Sequence, residues 1–279
     1  MSFSISAFTQ SSFGRFAYRP IQKLIHRARL RAHPEVPLED EVIEVPFGER
    51  KISIERRRWN TSDAMAVDLC FTDGQYDMRS GVHGAYMERV YRAIVAAGKK
   101  PLIVDCGANI GASVLWFHAR YPEAHIVAVE PAPDNFAILR RNCRGLDVDL
   151  RQAGIGCADG TAWLTDRYGA SMGYRTNEQR EGLEIQIQSL ETLMTSKPAS
   201  DFGPFLLKVD VEGAEKSLFQ ADAAALDQFP VIIMEPHDWL LPGQGTSLEF
   251  FRFHAQAARD FVMKDENVVS IKYNPDLFG

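Results

Sequence analysis

The chain has 279 residues, 46% hydrophobic and 24% charged, the make-up of a soluble globular protein with ample material for a core. Lys+Arg 31 against Asp+Glu 37 leaves a net charge of −6, which argues against a generic nucleic-acid binder, since such proteins need net or clustered positive charge. Four cysteines, Cys70, Cys106, Cys143 and Cys157, form no CxxC pair and no Cys/His cluster, which excludes a zinc ribbon and gives no sign of a disulfide framework.

The longest apolar runs, such as Val231–Met234, are too short to span a bilayer. Residues 1–14 lack the basic and apolar regions of a signal peptide, so a cytoplasmic location is expected. Residues 1–33 form a basic extension holding Arg15, Arg19, Lys23, Arg27, Arg29 and Arg31 and no acid. Within it, Phe13 to Ala32 predicts an amphipathic helix, with Phe13, Phe16, Ile21, Leu24, Ile25 and Ala28 on one stripe and basic residues on another. Two uses fit such a helix: packing on its own domain or a second subunit, or a peripheral contact of residues 13–32 with an anionic membrane surface or acidic partner.

Residues 34–85 are expected to form a small β-rich module. Glu41–Phe47 and Lys51–Arg57 alternate about a Gly48-Glu49 turn, a hairpin signal, and Arg56-Arg57-Arg58 is expected to be a solvated strand end. Turn signals at Asp73-Gly74 and Gly81 leave 61–85 unassigned. From residue 86 to 279 strands and helices alternate. Tyr86–Ala97 predicts a helix, Leu102–Val104 a buried strand, and a glycine loop leads to a helix ending at Ala119. Ile126–Val129, Val148–Ile155, Phe205–Val209 and Val231–Met234 predict further strands, with helices over Asp134–Cys143 and Leu248–Ala258. Phe261–Lys264 and Val268–Tyr273 predict a closing hairpin. The pattern argues an α/β class with a mostly parallel sheet covered on both faces.

The chemistry concentrates at the carboxyl ends of these strands. In Asp105-Cys-Gly107-Ala-Asn109-Ile-Gly111 an apolar strand runs into a glycine loop that opens a helix, where free N–H groups favour an anionic or polar ligand. The spacing is GxxxG, so the dinucleotide fingerprint is not met. Glu130, 19 residues beyond Gly111 at the end of the next strand, is placed to accept the hydroxyl protons of a ribose. Lys208-Val-Asp210-Val-Glu212-Gly213-Ala-Glu215 puts a lysine and three acids at the end of another strand, with Lys208 and Asp210 on one face. Glu215 is read as complementing the start of the following helix. Glu235 and His237 end the next strand on the same edge. Trp239, Phe250, Phe251 and Phe253 fit either an acceptor pocket or core packing.

Together Asp105–Gly111, Val129-Glu130-Pro131, Lys208–Glu215 and the Glu235 strand resemble the FkbM-type S-adenosylmethionine-dependent methyltransferases, over roughly Leu102 to Trp239. The resemblance implies a Rossmann-like class I methyltransferase fold: a mostly parallel seven-stranded sheet with an antiparallel last strand. It implies S-adenosylmethionine as methyl donor, S-adenosylhomocysteine as product, and a hydroxyl acceptor on a sugar, glycan or related natural product. Carried onto this chain, Asp105, Gly107, Asn109 and Gly111 bound the methionine side of the cofactor. Glu130 holds its ribose, Asn135 lies near the adenine, and Asp210 sits beside the methyl group. Asp210 or His237 is then the candidate base, with Lys208 orienting Asp210 or stabilising negative charge. The sequence displays no metal box, although a divalent ion would find Asp210 and Glu235 together. An NAD(P)-dependent oxidoreductase and a non-catalytic binding member are the alternatives.

Overall fold

The computed structural model describes residues 40–166, 174–177, 182–220 and 223–277; the basic extension and its predicted helix lie outside them. The predicted hairpin forms from β1 (Asp40–Phe47) and β2 (Arg50–Arg57), antiparallel from Asp40↔Arg57 to Phe47↔Arg50. Its alternation turns Val45 and Ile54 into the main core. Asn142 docks the hairpin by accepting from the Glu55 N–H (2.7 Å) and donating to the Glu55 carbonyl (2.9 Å).

Arg57 corrects the expectation of a solvated strand end. It is 8% exposed, forks onto Asp63 (2.6 Å between Nη2 and Oδ1), and also reaches Asp134 and Asn135. Arg57, three residues on, lies on the opposite face of the strand from Ile54 and is buried by what packs there: Asp63 supplies the countercharge a buried guanidinium needs, with Asp134 and Asn135 beside it. The unassigned stretch that follows is helical. Asn60 caps α1 (Thr61–Val67) by accepting from the Asp63 N–H, and the helix widens into a π-turn over Asp68–Thr72. Of residues 34–85, only the hairpin is β-structure among those described.

The next helix, α2 (Gly81–Ala96), starts five residues before the predicted Tyr86. Gly81, read as a turn signal, is its first residue, and Gly84 serves close packing: a Cβ there would lie 1.7 Å from the Met78 carbonyl oxygen. Beyond it come β3 (Lys100–Cys106), α3 (Ala112–Arg120), β4 (His125–Val129), α4 (Pro133–Asn142) and β5 (Val148–Arg151). The predicted strand Val148–Ile155 is two strands. β5 ends at Arg151, and β6 (Gly154–Gly156) leaves for a second sheet with β7 (Gly160–Asp166), β8 (Tyr174–Asn177) and β9 (Leu183–Ser189), in the order β6-β9-β7-β8. That sheet is absent from the prediction.

The chain returns through α5 (Leu190–Thr195), β10 (Phe202–Val209), α6 (Glu215–Phe219), α7 (Ala223–Leu226), β11 (Val231–Met234), α8 (Leu248–Gln256), β12 (Asp260–Lys264) and β13 (Asn267–Ile271). The main sheet runs β5-β4-β3-β10-β11-β13-β12. Its neighbours are parallel except at β13, which is antiparallel to both β11 and β12. This is the Rossmann-like sheet with one reversed strand that the resemblance implies. Ile103 and Leu206 point into one apolar layer, and Leu102, Val104, Leu207 and Val209 into the other. Both faces are therefore buried, as a parallel sheet requires. Phe250 and Phe253 stack on Phe219 in the second layer, so two of the three helical phenylalanines pack the core. No helix among the described residues is long and apolar enough to cross a membrane.

Candidate active site

Register fixes the site. Lys208 pairs with Asp105 and Ile233, and Cys106 pairs with Val129, so β3, β4, β10 and β11 end side by side. The residues just past those ends, Gly107, Glu130, Asp210 and Glu235, share one edge, where open α/β sheets bind ligands. Gly107 is at φ +84°, and a Cβ on it would lie 1.8 Å from the Asp210 carbonyl oxygen. The loops after β3 and β10 touch through backbone there, which only glycine allows.

Two clefts open on this edge. The first is lined by Gly107, Asn109, Glu130, Asn135, Leu164 and Asp210 among others. At its floor the Glu130 carboxylate accepts from the Asn109 N–H and the Ala132 N–H, both at 2.9 Å, and more weakly from Asn135 Nδ2 at 3.4 Å. Burial pushes its pKa up to about 7 against these hydrogen bonds. Asn109 is left-handed at φ +51°, and its buried Oδ1 has no hydrogen-bond partner. Two of the predicted cofactor residues do not line this cleft. Asp105 is fully buried, accepting from Ser113 (2.6 Å) and facing Lys208 Nζ at 3.0 Å. Gly111 (φ +91°) starts α3 where a Cβ would meet Leu139. Both build the loop from behind.

Lys208 is a buried strut. Its Nζ donates to the Gly107 carbonyl (2.7 Å) and stands 3.0 Å from Asp105 and 3.5 Å from Asp210. Burial disfavours its charge, but Asp105 and Asp210 outweigh that and hold the ammonium well above its ordinary pKa. Its contacts are those of an orienting group.

The second cleft shares Gly107, Asn109, Asp210 and Glu212 with the first. Its walls are Met65, Leu69 and Cys70 from α1 and the π-turn, Gln75 and Tyr76 from the following loop, and Trp239 after β11. Of these, Trp239 is among the aromatics the sequence offers for such a pocket; the others carry no sequence motif, so nothing short of the fold singles them out. Burial raises the Cys70 thiol to about 12, which removes it as a nucleophile near neutrality. On the floor sit Glu235 and His237. His237 is 1% exposed, its Nδ1 2.5 Å from Glu215 Oε1. Its Nε2 faces Glu235 at 3.6 Å and Asp210 at 3.7 Å. Burial would lower its pKa, yet the Glu215 hydrogen bond and the charge of Glu235 carry it to about 10. Burial and the Asp210 charge raise Glu235 to about 8. Glu215 corrects the expectation of a helix-start acid: it lies in the first turn of α6 but is fully buried, accepting from the Gly213 N–H and holding His237.

The family model for the methyltransferase FkbM domain matches residues 105–263, more than half of the chain, from the end of β3 into β12. The chain belongs to the FkbM methyltransferase family. It is 33% identical over 141 residues to Methyltransferase 1 of Beauveria bassiana (strain ARSEF 2860), covering 42% of this chain and 57% of that protein. It is 32% identical over 149 residues to Methyltransferase sdnD of Sordaria araneosa, covering 41% of this chain and 58% of that protein. The chain thus spans less than two thirds of these curated relatives. Among solved structures it is similar to a putative caffeoyl-CoA O-methyltransferase from Staphylococcus aureus, at 12% identity and TM-score 0.38 over 74% of this chain and 92% of that one. A methyltransferase from Geobacter sulfurreducens gives 14% and 0.32 over 75% and 88%. For this FkbM chain the fold rests on its own strand order, and the family match spans the strand ends that carry Gly107, Glu130, Asp210 and Glu235.

Proposed function

We propose that the chain transfers a methyl group from S-adenosylmethionine to a hydroxyl of a sugar, glycan or related natural product. The observation that carries the reading is that two clefts meet at Asp210, one ending in a buried ribose-type acid and the other walled by apolar and aromatic side chains. The first cleft suits that cofactor. Glu130 offers a carboxylate to vicinal hydroxyls, and the unpartnered Asn109 Oδ1 offers an acceptor to an ammonium. When bound, S-adenosylmethionine supplies an electrophilic methyl carbon on a sulfonium.

The chain's own residues then have three tasks. Leu69, Tyr76 and Trp239 hold the acceptor and exclude water. Lys208 fixes Asp210 where the clefts join. Asp210, whose side chain is 30% exposed, takes the hydroxyl proton as the oxygen attacks, since an unactivated alcohol is a poor nucleophile at neutral pH. His237 is the weaker candidate base, because the acids around it keep a cation at its ring.

Calorimetric titration with S-adenosylmethionine, S-adenosylhomocysteine and NAD tests the cofactor. Saturable binding of the two sulfur nucleosides, lost in Glu130→Ala, supports the reading; binding of NAD alone overturns it in favour of an oxidoreductase. An acceptor screen that follows labelled methyl tests the reaction. Asp210→Asn is expected to cost about 10²–10⁴ in turnover while leaving cofactor affinity nearly intact. Wild-type turnover in that variant removes Asp210 as the base.

A further inference from the structure

We infer that Asp210, Glu235 and His237 form a divalent-cation site on the floor of the acceptor cleft, with Glu215 as the group that aims His237 into it. One ligand atom from each of the three lies within 4.8 Å of the others. Acidic clusters are common without an ion; the histidine distinguishes this one. Its side chain is 2% exposed, and Nδ1 is committed to Glu215, which fixes the ring and turns Nε2 toward the two carboxylates, where a bound ion would take the place of the ring proton. Nε2 stands 3.6 Å from a Glu235 carboxylate oxygen and 3.7 Å from one of Asp210, both beyond hydrogen-bond reach. Neighbouring ligand atoms about 2.1 Å from a shared octahedral ion lie about 3.0 Å apart, so an ion would draw these groups together by less than an ångström. A carboxylate behind the far nitrogen of a histidine is the recurrent outer support of metal-bound imidazole.

The charges agree with the geometry. Asp210, Glu212, Glu235 and Glu266 all line this cleft, against Lys208, whose ammonium is turned toward Asp105 and the Gly107 carbonyl. Two carboxylates and one imidazole are a mixed hard and borderline set, suited to Mn²⁺ ahead of Mg²⁺ or Ca²⁺. An ion there would lie where the clefts join, in reach of an acceptor hydroxyl; that use rests on the methyltransferase reading, whereas the binding does not.

The test uses the full chain, freed of metal by chelator and titrated with Mn²⁺ alone, the free ion being followed by its electron paramagnetic resonance. One saturable site per chain is expected, weakened at least tenfold in both Glu235→Gln and His237→Ala. Glu215→Gln keeps all three ligands but loosens the ring, and is expected to weaken binding about 10–100-fold. Thermal melting separates lost binding from lost folding, and Glu235→Gln, nearly isosteric, keeps the comparison usable if His237→Ala unfolds. Absence of saturable binding at millimolar Mn²⁺, or equal binding by wild type and folded variants, overturns the site. Glu130→Ala keeps all proposed ligands, so its Mn²⁺ binding is expected unchanged while its cofactor binding is lost. The metal site and the cofactor reading therefore fail independently.

Discussion

Glu130 sets a pH limit on the first cleft. Its carboxyl ionises near pH 7 because burial opposes charge more strongly than the Ala132 and Asn109 N–H groups favour it. Hydroxyl donors on a ligand bind the ionised form, so binding is coupled to loss of that proton. Cofactor affinity is therefore expected to be full above pH 7 and to fall as pH drops below it, approaching about tenfold per pH unit for one proton. Calorimetry across that range checks this; an affinity that is flat, or that rises toward acid pH, contradicts it. Glu130→Gln removes the titrating group and is expected to flatten the profile at a lower affinity.

The elements around the site are tied together by the end of β2. Arg57 joins Asp63 in the first turn of α1 to Asp134 and Asn135 on α4, and Asn135 in turn reaches Glu130. Arg57→Ala leaves Asp63 buried and unpaired, which is expected to cost about 3–5 kcal/mol in urea unfolding. Adding Asp63→Ala should return part of that loss, because the two changes share one interaction. A double variant no more stable than the additive sum would show that the pair is not coupled. This link was invisible in sequence, where Arg56-Arg57-Arg58 has the appearance of an exposed charge run and only Asp63, Asp134 and Asn135, brought in by α1 and α4, enclose the middle residue. The same contrast holds elsewhere. The strand-end motifs were legible because Gly107, Glu130, Asp210 and Glu235 are placed by strand ends, which apolar runs announce. The walls of the second cleft were not, since Met65, Gln75 and Tyr76 gain their meaning only when α1 and the π-turn pack against α3 and the hairpin. The second sheet did leave a sign: Leu183–Ser189 alternates apolar and polar throughout, and only its separation from the other apolar runs hid it.

At the scale of the molecule, the hairpin, α1 and α2 share one apolar layer with the main sheet, so the site's two walls rest on a common core. Backbone protection should follow the strand order. Amides of β3, β4 and β10, paired on both sides, are expected to exchange slowest, and those of the edge strands β12 and β5 fastest. Hydrogen exchange read by mass spectrometry checks this; faster exchange in β3 than in β12 would contradict it. The insertion of β13 between β11 and β12 has a consequence for synthesis. A ribosome delivers β11 first, then β12, which has no place beside it. Until residues 267–271 emerge, the outer edge of β11 displays unpaired N–H and C=O groups, and β12 waits without its partner. A nascent chain stalled at Lys264 would hold its cofactor motifs and still lack a closed sheet, which makes that interval the one in which chaperones or a neighbouring chain compete for the edge.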